Sequence, residues 1–181
     1  MADYDLAEHR HRFAVWAAAR ASQRGFTTVE ILRDALEATD IRDALTSPAT
    51  LQLQAVDFET LHRKWCLSIC SALSQRHIGK VTYGRAAKLV AVYLKAMILM
   101  GQGWSTPFGQ SMHPPIDRTL LQRLSSSERV TSPHKAAWRS VNWTRLTESA
   151  YYSLIAQLRE VVPSGKPFWV IEEHWQPAET E

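Results

Sequence analysis

The stretch that decides the fold lies between residues 82 and 124. Residues 82–101 read TYGRAAKLVAVYLKAMILMG, and residues 113–124 read HPPIDRTLLQRL. Apolar residues at three- and four-residue steps predict a helix that is buried on most sides and runs from a cap at Thr82 to about Met100. The Pro-Pro pair suits the first turn of a second helix, which would place Asp117 at its third position.

The same helical period extends along the rest of the chain. Further helices are predicted at residues 5–24, after Thr27 or Thr28, at residues 57–75 with Asp57 as the N-cap, from Ser132-Pro133, and from Thr144 or Thr147 to Val161. We expect a loop at residues 101–112. Residues 168–175 fit a strand or a short helix, and their aromatic spacing favours the helix. Because no alternating strand pattern recurs, the sequence predicts an all-α fold of about eight helices.

The composition is that of one ordinary globular domain. The chain has 181 residues, of which 45% are hydrophobic and 22% charged. We expect a single domain over residues 1–181, with residues 168–181 as a short C-terminal appendage. The two cysteines lie on one predicted helix, which indicates a reducing compartment. No signal peptide is visible and lysines interrupt the longest apolar run, so we expect a cytoplasmic protein without a membrane span.

Lys88 and Asp117 are the candidate catalytic residues. An amine attacks a sugar C1′ or a carbonyl only when it is unprotonated, and burial lowers the pKa of a lysine. A nearby carboxylate could stabilise a developing oxocarbenium ion or take a proton. The structural alternative is that Asp117 only serves the free N–H groups of a helix's first turn, while Lys95 extends from the end of its helix to water.

Residues 83–88, YGRAAK, and residues 115–118, PIDR, carry a resemblance to a known family. A turn with glycine, a helix that opens with a basic residue and a later P-I-D-R resemble helix-hairpin-helix DNA glycosylases, and more specifically the 8-oxoguanine DNA glycosylase-like proteins of bacteria. The resemblance covers about a quarter of the chain. It implies that Lys88 matches the lysine that follows the hairpin in this family. It implies that Asp117 matches the aspartate of the Val-Asp type motif, with DNA as the partner.

Four cationic or aromatic residues are the candidate nucleic-acid contacts: Arg85, Lys95, Trp104 and Arg118. Tryptophans and tyrosines interleaved with arginines could stack on bases, and Trp104 lies in a glycine-rich loop. Alternatively, these rings belong to the core. The net charge is only +3, but arginines and histidines are concentrated in the first predicted helix, including Arg20 and Arg24. The basic side chains of that helix could bind phosphate, or they could simply form a solvent-exposed face.

The sequence predicts no metal site and no cofactor. His62, Cys66 and Cys70 lie at four-residue steps along one helix edge, which is a poor arrangement for tetrahedral zinc, and small buried cysteines explain the pattern as well. No phosphate loop or nucleophile elbow is present. Two functions stay open. One is nucleic-acid binding, with or without base excision; the other is a non-catalytic helical module that binds a protein through its basic N-terminal helix or aromatic loop.

Overall fold

The computed structural model describes residues 4–176, and all regular elements in that range are helical. The prediction of an all-α fold is therefore confirmed. The α-helices are α1 (Leu6–Gln23), α2 (Val29–Glu37), α3 (Ile41–Thr46), α4 (Pro48–Leu51), α5 (Ala55–Gln75), α6 (Tyr83–Leu94), α7 (Pro107–Ser111), α8 (Arg118–Ser126), α9 (Lys135–Trp138) and α10 (Glu148–Arg159).

Three further segments are helical with a different period. A π-helical turn continues α6 over Lys95–Leu99, and 3-10 helices occupy Trp143–Arg145 and Phe168–His174. We refer to the last of these as the C-terminal 3-10 helix. In the described part of the chain, no helix combines the length and the apolar character that crossing a membrane requires.

Helix α6 is the centre of the domain. Ten of its twelve residues are buried, as the sequence predicts, and it packs against α1, α5 and α10. Thr82 caps it by accepting a hydrogen bond from the Arg85 N–H. Gly84 permits the Trp143–Arg145 turn to approach, because a Cβ at this position would lie 2.1 Å from the Trp143 carbonyl oxygen. The carbonyl of Leu146 also accepts a hydrogen bond from the Gly84 N–H at 3.0 Å.

Helix α1 lies along α6 and presents a face of small side chains to it. Ala14, Ala18 and Ala19 are fully buried, which allows the two helix backbones to approach closely. The Asp5 carboxylate caps the N-terminus of α1. The opposite face of the helix carries large apolar side chains that remain about half exposed, notably Phe13 and Trp16.

Several predicted boundaries are wrong by a few residues. Helix α5 begins at Ala55, so Asp57 lies in its first turn and Gln54 is the N-cap. The predicted loop at residues 101–112 contains α7, whose first turn begins with Pro107 and is capped by Thr106. The Pro-Pro pair precedes α8 and does not start it. Asp117 is the N-cap of α8 and not its third residue, since its backbone is extended and its side chain accepts from Leu120 N–H.

The segment after residue 167 packs into the domain over its described part. Phe168 and Ile171 of the C-terminal 3-10 helix are buried in the core, and this helix contacts α7 and α8. Of the two conformations that the sequence allowed, the segment adopts the helical one. The remainder of the predicted appendage, residues 177–181, lies outside the described residues.

Candidate functional site

Lys88 and Asp117 meet inside the domain although 29 positions separate them. The Lys88 ammonium donates to Asp117 Oδ2 at 3.1 Å, and the two side chains are only 4% and 8% exposed. Lys88 reaches this point from the second turn of α6, and Asp117 from the start of α8. Lys88, which lies within an apolar helix, therefore forms an ion pair with a carboxylate at the start of another helix.

Asp117 is held by three donors. Its Oδ1 atom accepts from the Leu120 N–H at 2.9 Å, and its Oδ2 atom accepts from the Trp175 indole N–H at 3.2 Å as well as from Lys88. The structural alternative for this residue is thus correct in itself, because Asp117 does cap α8. The cap uses one oxygen and leaves the other directed at the lysine.

The surroundings of Lys88 lower the pKa of its amine. Burial lowers the pKa of Lys88, the charge and hydrogen bond of Asp117 raise it in part, and the charge of Arg24 lowers it again. The net direction is downward from the ordinary value of lysine. The ring of Trp143 lies 4.6 Å from the Lys88 nitrogen, a cation–π contact that favours the charged form and acts against the effect of burial. Because the net direction of the pKa is downward, Lys88 gives up its proton more readily than a surface lysine does.

The pair lines an open cleft of about 540 Å³, which we call the Lys88 cleft. Its walls are helix α1, the end of α6 with its π-helical turn, and the C-terminal 3-10 helix with the residue that follows. Besides Lys88 and Asp117, the chemically distinctive side chains that line it are Phe13, Arg20, Arg24, Lys95, Glu172 and Trp175. The volume is within the range of ordinary small-molecule and nucleotide sites.

A second ion pair lies in the same cleft. The Lys95 ammonium donates to Glu172 Oε1 at 2.7 Å, and the carboxylate is 13% exposed. Burial raises the pKa of Glu172, Lys95 lowers it in part, and the Asp117 charge raises it further. Lys95 therefore does not simply extend to water. It joins the C-terminal 3-10 helix to the π-helical turn that follows α6.

Of the four predicted nucleic-acid contacts, the structure places only Lys95 in the Lys88 cleft. The Arg85 guanidinium lies over the Phe26 ring at 4.3 Å, and its Nε and Nη1 atoms are buried without a hydrogen-bond partner among the described residues. Burial lowers the pKa of Arg85. Trp104 is 53% exposed on its loop, and Arg118 is exposed beside Asp117, but neither lines the cleft.

Sequence reasoning did not assign four of the cleft residues to the site. Phe13 and Arg20 lie seven residues apart on one face of α1, and Arg24, the C-cap of the helix, follows four residues later on the same side. That spacing in the sequence indicates that these residues share one side of the helix, but it does not show which other element this side faces. Glu172 belongs to the segment that the sequence marks as an appendage, and no local pattern indicates its pairing with Lys95.

A buried network of histidines and tyrosines is a second feature that the sequence does not predict. His62 and His113 lie with ring centroids 4.7 Å apart and contact the hydroxyl groups of Tyr152 and Tyr151 at 3.2 and 3.1 Å. Burial lowers the pKa of His62 to about 3. His62 also contacts the buried Cys66 thiol, yet within residues 4–176 no three metal-type side chains are grouped so as to hold an ion.

Comparisons with known proteins add no family to this description. No family model matches the chain, and neither a curated protein nor a solved structure gives a significant match. The glycosylase resemblance therefore stays a prediction from residues 83–88 and 115–118, and the site is interpreted from its geometry.

Proposed function

We propose that the chain binds nucleic acid at the Lys88 cleft and that Lys88 is a nucleophile toward the sugar C1′. One observation carries this proposal: a buried amine and a carboxylate, 3.1 Å apart, both line an open cleft. An ion pair that served packing alone would not need an opening of this size beside it. Perturbed titratable groups that converge in a cleft are the usual mark of a reactive site.

The chemistry that this pair can perform is attack on an N-glycosidic carbon. The neutral amine of Lys88 forms a bond from Nζ to C1′ while the bond from C1′ to the base nitrogen breaks. The electron pair of the broken bond leaves with the base. Asp117 Oδ2 accepts the proton that Nζ then releases, and before that its charge stabilises the positive charge that develops on the sugar. The carboxylate is held in place by Leu120 and Trp175 throughout.

The charge of the Lys88 cleft also suits a polyanion. Four cationic side chains line it, Arg20, Arg24, Lys88 and Lys95, against two carboxylates. The two lysines are engaged with those carboxylates, so the arginines of α1 are the groups that remain for phosphate. Phosphate contacts of this kind give binding whose affinity falls steeply as the salt concentration rises.

Borohydride trapping on an oligonucleotide with one abasic site tests the proposal. The abasic aldehyde condenses with the Lys88 amine, water leaves, and hydride from borohydride reduces the resulting imine to a stable secondary amine. We expect a covalent adduct with the native protein and none with Lys88→Ala. Lys95→Gln is the matched control, because it removes the other lysine of the same cleft and should keep the yield per bound oligonucleotide.

The proposal is overturned if Lys88→Ala gives as much adduct as the native protein. It is equally overturned if the native protein binds no oligonucleotide at low salt, with single strands and duplexes both tried across a salt series. Far-UV circular dichroism of each variant checks that the helical fold is retained, so a lost adduct reports on the amine.

A second candidate function, a non-catalytic module that binds a protein, is favoured by one separate observation. Trp104 is 53% exposed on the segment that follows the π-helical turn and does not line the Lys88 cleft. Large apolar side chains at the surface of a loop are typical of protein contacts. Under this alternative, Trp104→Ser would abolish partner binding, and no oligonucleotide would bind the native protein.

A further inference from the structure

We propose that the exposed rings of Phe13 and Trp16 on α1 form a stacking surface for the unpaired bases of a single strand that runs into the Lys88 cleft. This inference rests on the proposed function, since it names the form of nucleic acid that the cleft receives. It concerns residues outside the Lys88–Asp117 pair and can fail while the reaction at Lys88 stands.

The first support is the exposure of two adjacent aromatic rings on α1. Phe13 is 52% and Trp16 50% exposed, and their ring centroids are 6.0 Å apart. Both rings project from α1 on the side away from the buried Ala14 and Ala18. Leaving so much aromatic surface in water forgoes burial energy that these side chains would otherwise contribute. A ligand that covers them recovers it.

The second support is that this surface continues into the cleft. Phe13 is itself a lining residue of the Lys88 cleft, and Trp16 is its neighbour one helical turn along. On the other side of the cleft, Trp175 is 41% exposed and donates to Asp117. Aromatic rings therefore lead from the open face of α1 to the carboxylate of the proposed reaction.

The third support is the placement of cations beside the rings. Arg20 follows Phe13 on the cleft side of α1, Arg24 is the C-cap of that helix, and both arginines are exposed. Within residues 4–176 neither forms an ion pair, whereas Arg12 on the same helix is bound to Glu8 at 2.7 Å. Two arginines that have no carboxylate partner in the described part of the chain lie next to stacking rings, and single-strand binding surfaces use this combination, with phosphates on the cations and bases on the rings.

A single strand fits this surface better than a duplex. Bases in a duplex already stack on each other and offer only their edges, whereas unpaired bases offer a face to an aromatic ring. A protein partner would leave the two arginines to be matched by acidic groups of its own, while a phosphate backbone supplies the matching charge at every nucleotide.

Fluorescence anisotropy with a labelled oligothymidine and a duplex of equal length tests the inference. We expect the native protein to bind the single strand more tightly, and Phe13→Ala and Trp16→Ala each to weaken that binding about tenfold. Arg20→Gln should reduce the slope of log affinity against log salt by about one. Leu67→Ala, which removes a side chain 47% exposed on α5, is the matched control and should change nothing.

The outcomes separate this inference from the proposed function. If the native protein binds oligonucleotides and forms the borohydride adduct, but the two ring variants bind the single strand as the native protein does, the stacking surface is overturned and the reaction at Lys88 stands. Equal affinity for duplex and single strand overturns it as well. If the native protein binds neither oligonucleotide, both proposals fall.

Discussion

Trp175 and Lys88 donate to the same oxygen of Asp117. The indole N–H lies 3.2 Å and the ammonium 3.1 Å from Oδ2. The two donors compete for this oxygen, so the hydrogen bond from the indole weakens the attraction between the carboxylate and the ammonium. A residue near the end of the chain therefore affects how strongly the carboxylate holds the lysine, and hence the pKa of the amine.

Replacing Trp175 by phenylalanine removes the indole donor and keeps an aromatic ring. The Asp117 carboxylate then acts on Lys88 alone and raises the pKa of its amine further. We expect the pH at which borohydride trapping reaches half of its maximum to move upward. Trp104→Phe changes an exposed ring outside the cleft and should leave the pH profile in place. A profile that is unchanged or moves downward in Trp175→Phe contradicts this role.

Replacing Asp117 by asparagine keeps a good N-cap and removes the counter-charge of a buried lysine. The loss of one partner of a buried ion pair leaves the other unpaired, and we expect the free energy of unfolding to fall by about 3 kcal/mol. Asp34→Asn is the control, since its pair with Arg76 is about half exposed and should be worth less than about 1 kcal/mol. Urea denaturation at pH 7 measures both, and equal losses in the two variants would refute the distinction.

The buried histidines predict that stability falls in mild acid. Burial lowers the pKa of His62 from 6.5 to about 3 and places the pKa of His113 well below its ordinary value. Between about pH 6.5 and pH 3 the unfolded chain therefore binds protons that the folded chain does not, so stability decreases as the pH falls through this window. The decrease is about 1.4 kcal/mol per pH unit for each histidine.

Urea denaturation at pH 7 and pH 5 checks this dependence. The native protein should lose stability between the two values, and His62→Gln should lose less, whatever its stability at pH 7. A native protein that is as stable at pH 5 as at pH 7 would contradict the lowered pKa of these rings in the folded state.

Gly84 should tolerate no side chain. A methyl group there would lie 2.1 Å from the Trp143 carbonyl oxygen, and this turn also carries the ring that covers Lys88. We expect Gly84→Ala to lower the free energy of unfolding by about 2 kcal/mol. Gly79→Ala is the control, because nothing lies within 4 Å of the added carbon. Thermal unfolding of the two variants compares them, and a Gly84→Ala protein as stable as the control would contradict the close contact.

The parts of this architecture that follow from local rules could be predicted from the sequence. Thr82 and Thr28 cap their helices as expected because a threonine before an apolar period satisfies the free N–H groups of a first turn. Apolar neighbours at helical spacing predict that Lys88 is buried, and the structure confirms this burial and places Asp117 beside the amine. The predicted start of α8 at the Pro-Pro pair is wrong, because proline suits both the first turn of a helix and the extended chain before an N-cap.

The rest depends on which faces meet across the fold. That Phe13 remains exposed while Ala14 is buried depends on where α1 lies against α6, and no periodicity encodes it. The roles of Glu172 and Trp175 arise only when the C-terminal 3-10 helix packs beside α8. Both are single contacts between segments far apart in sequence, and such contacts leave no local pattern.

The most direct measurement is to locate the trapped adduct in the chain. After borohydride reduction and trypsin digestion, a modified Lys88 resists cleavage, so mass spectrometry should find the nucleotide mass on residues 86–95, AAKLVAVYLK, with the bond after Lys88 intact. Modification at Lys88 is the result that the account predicts. An adduct on Lys95 or on the N-terminal amine, with Lys88 unmodified, would contradict it.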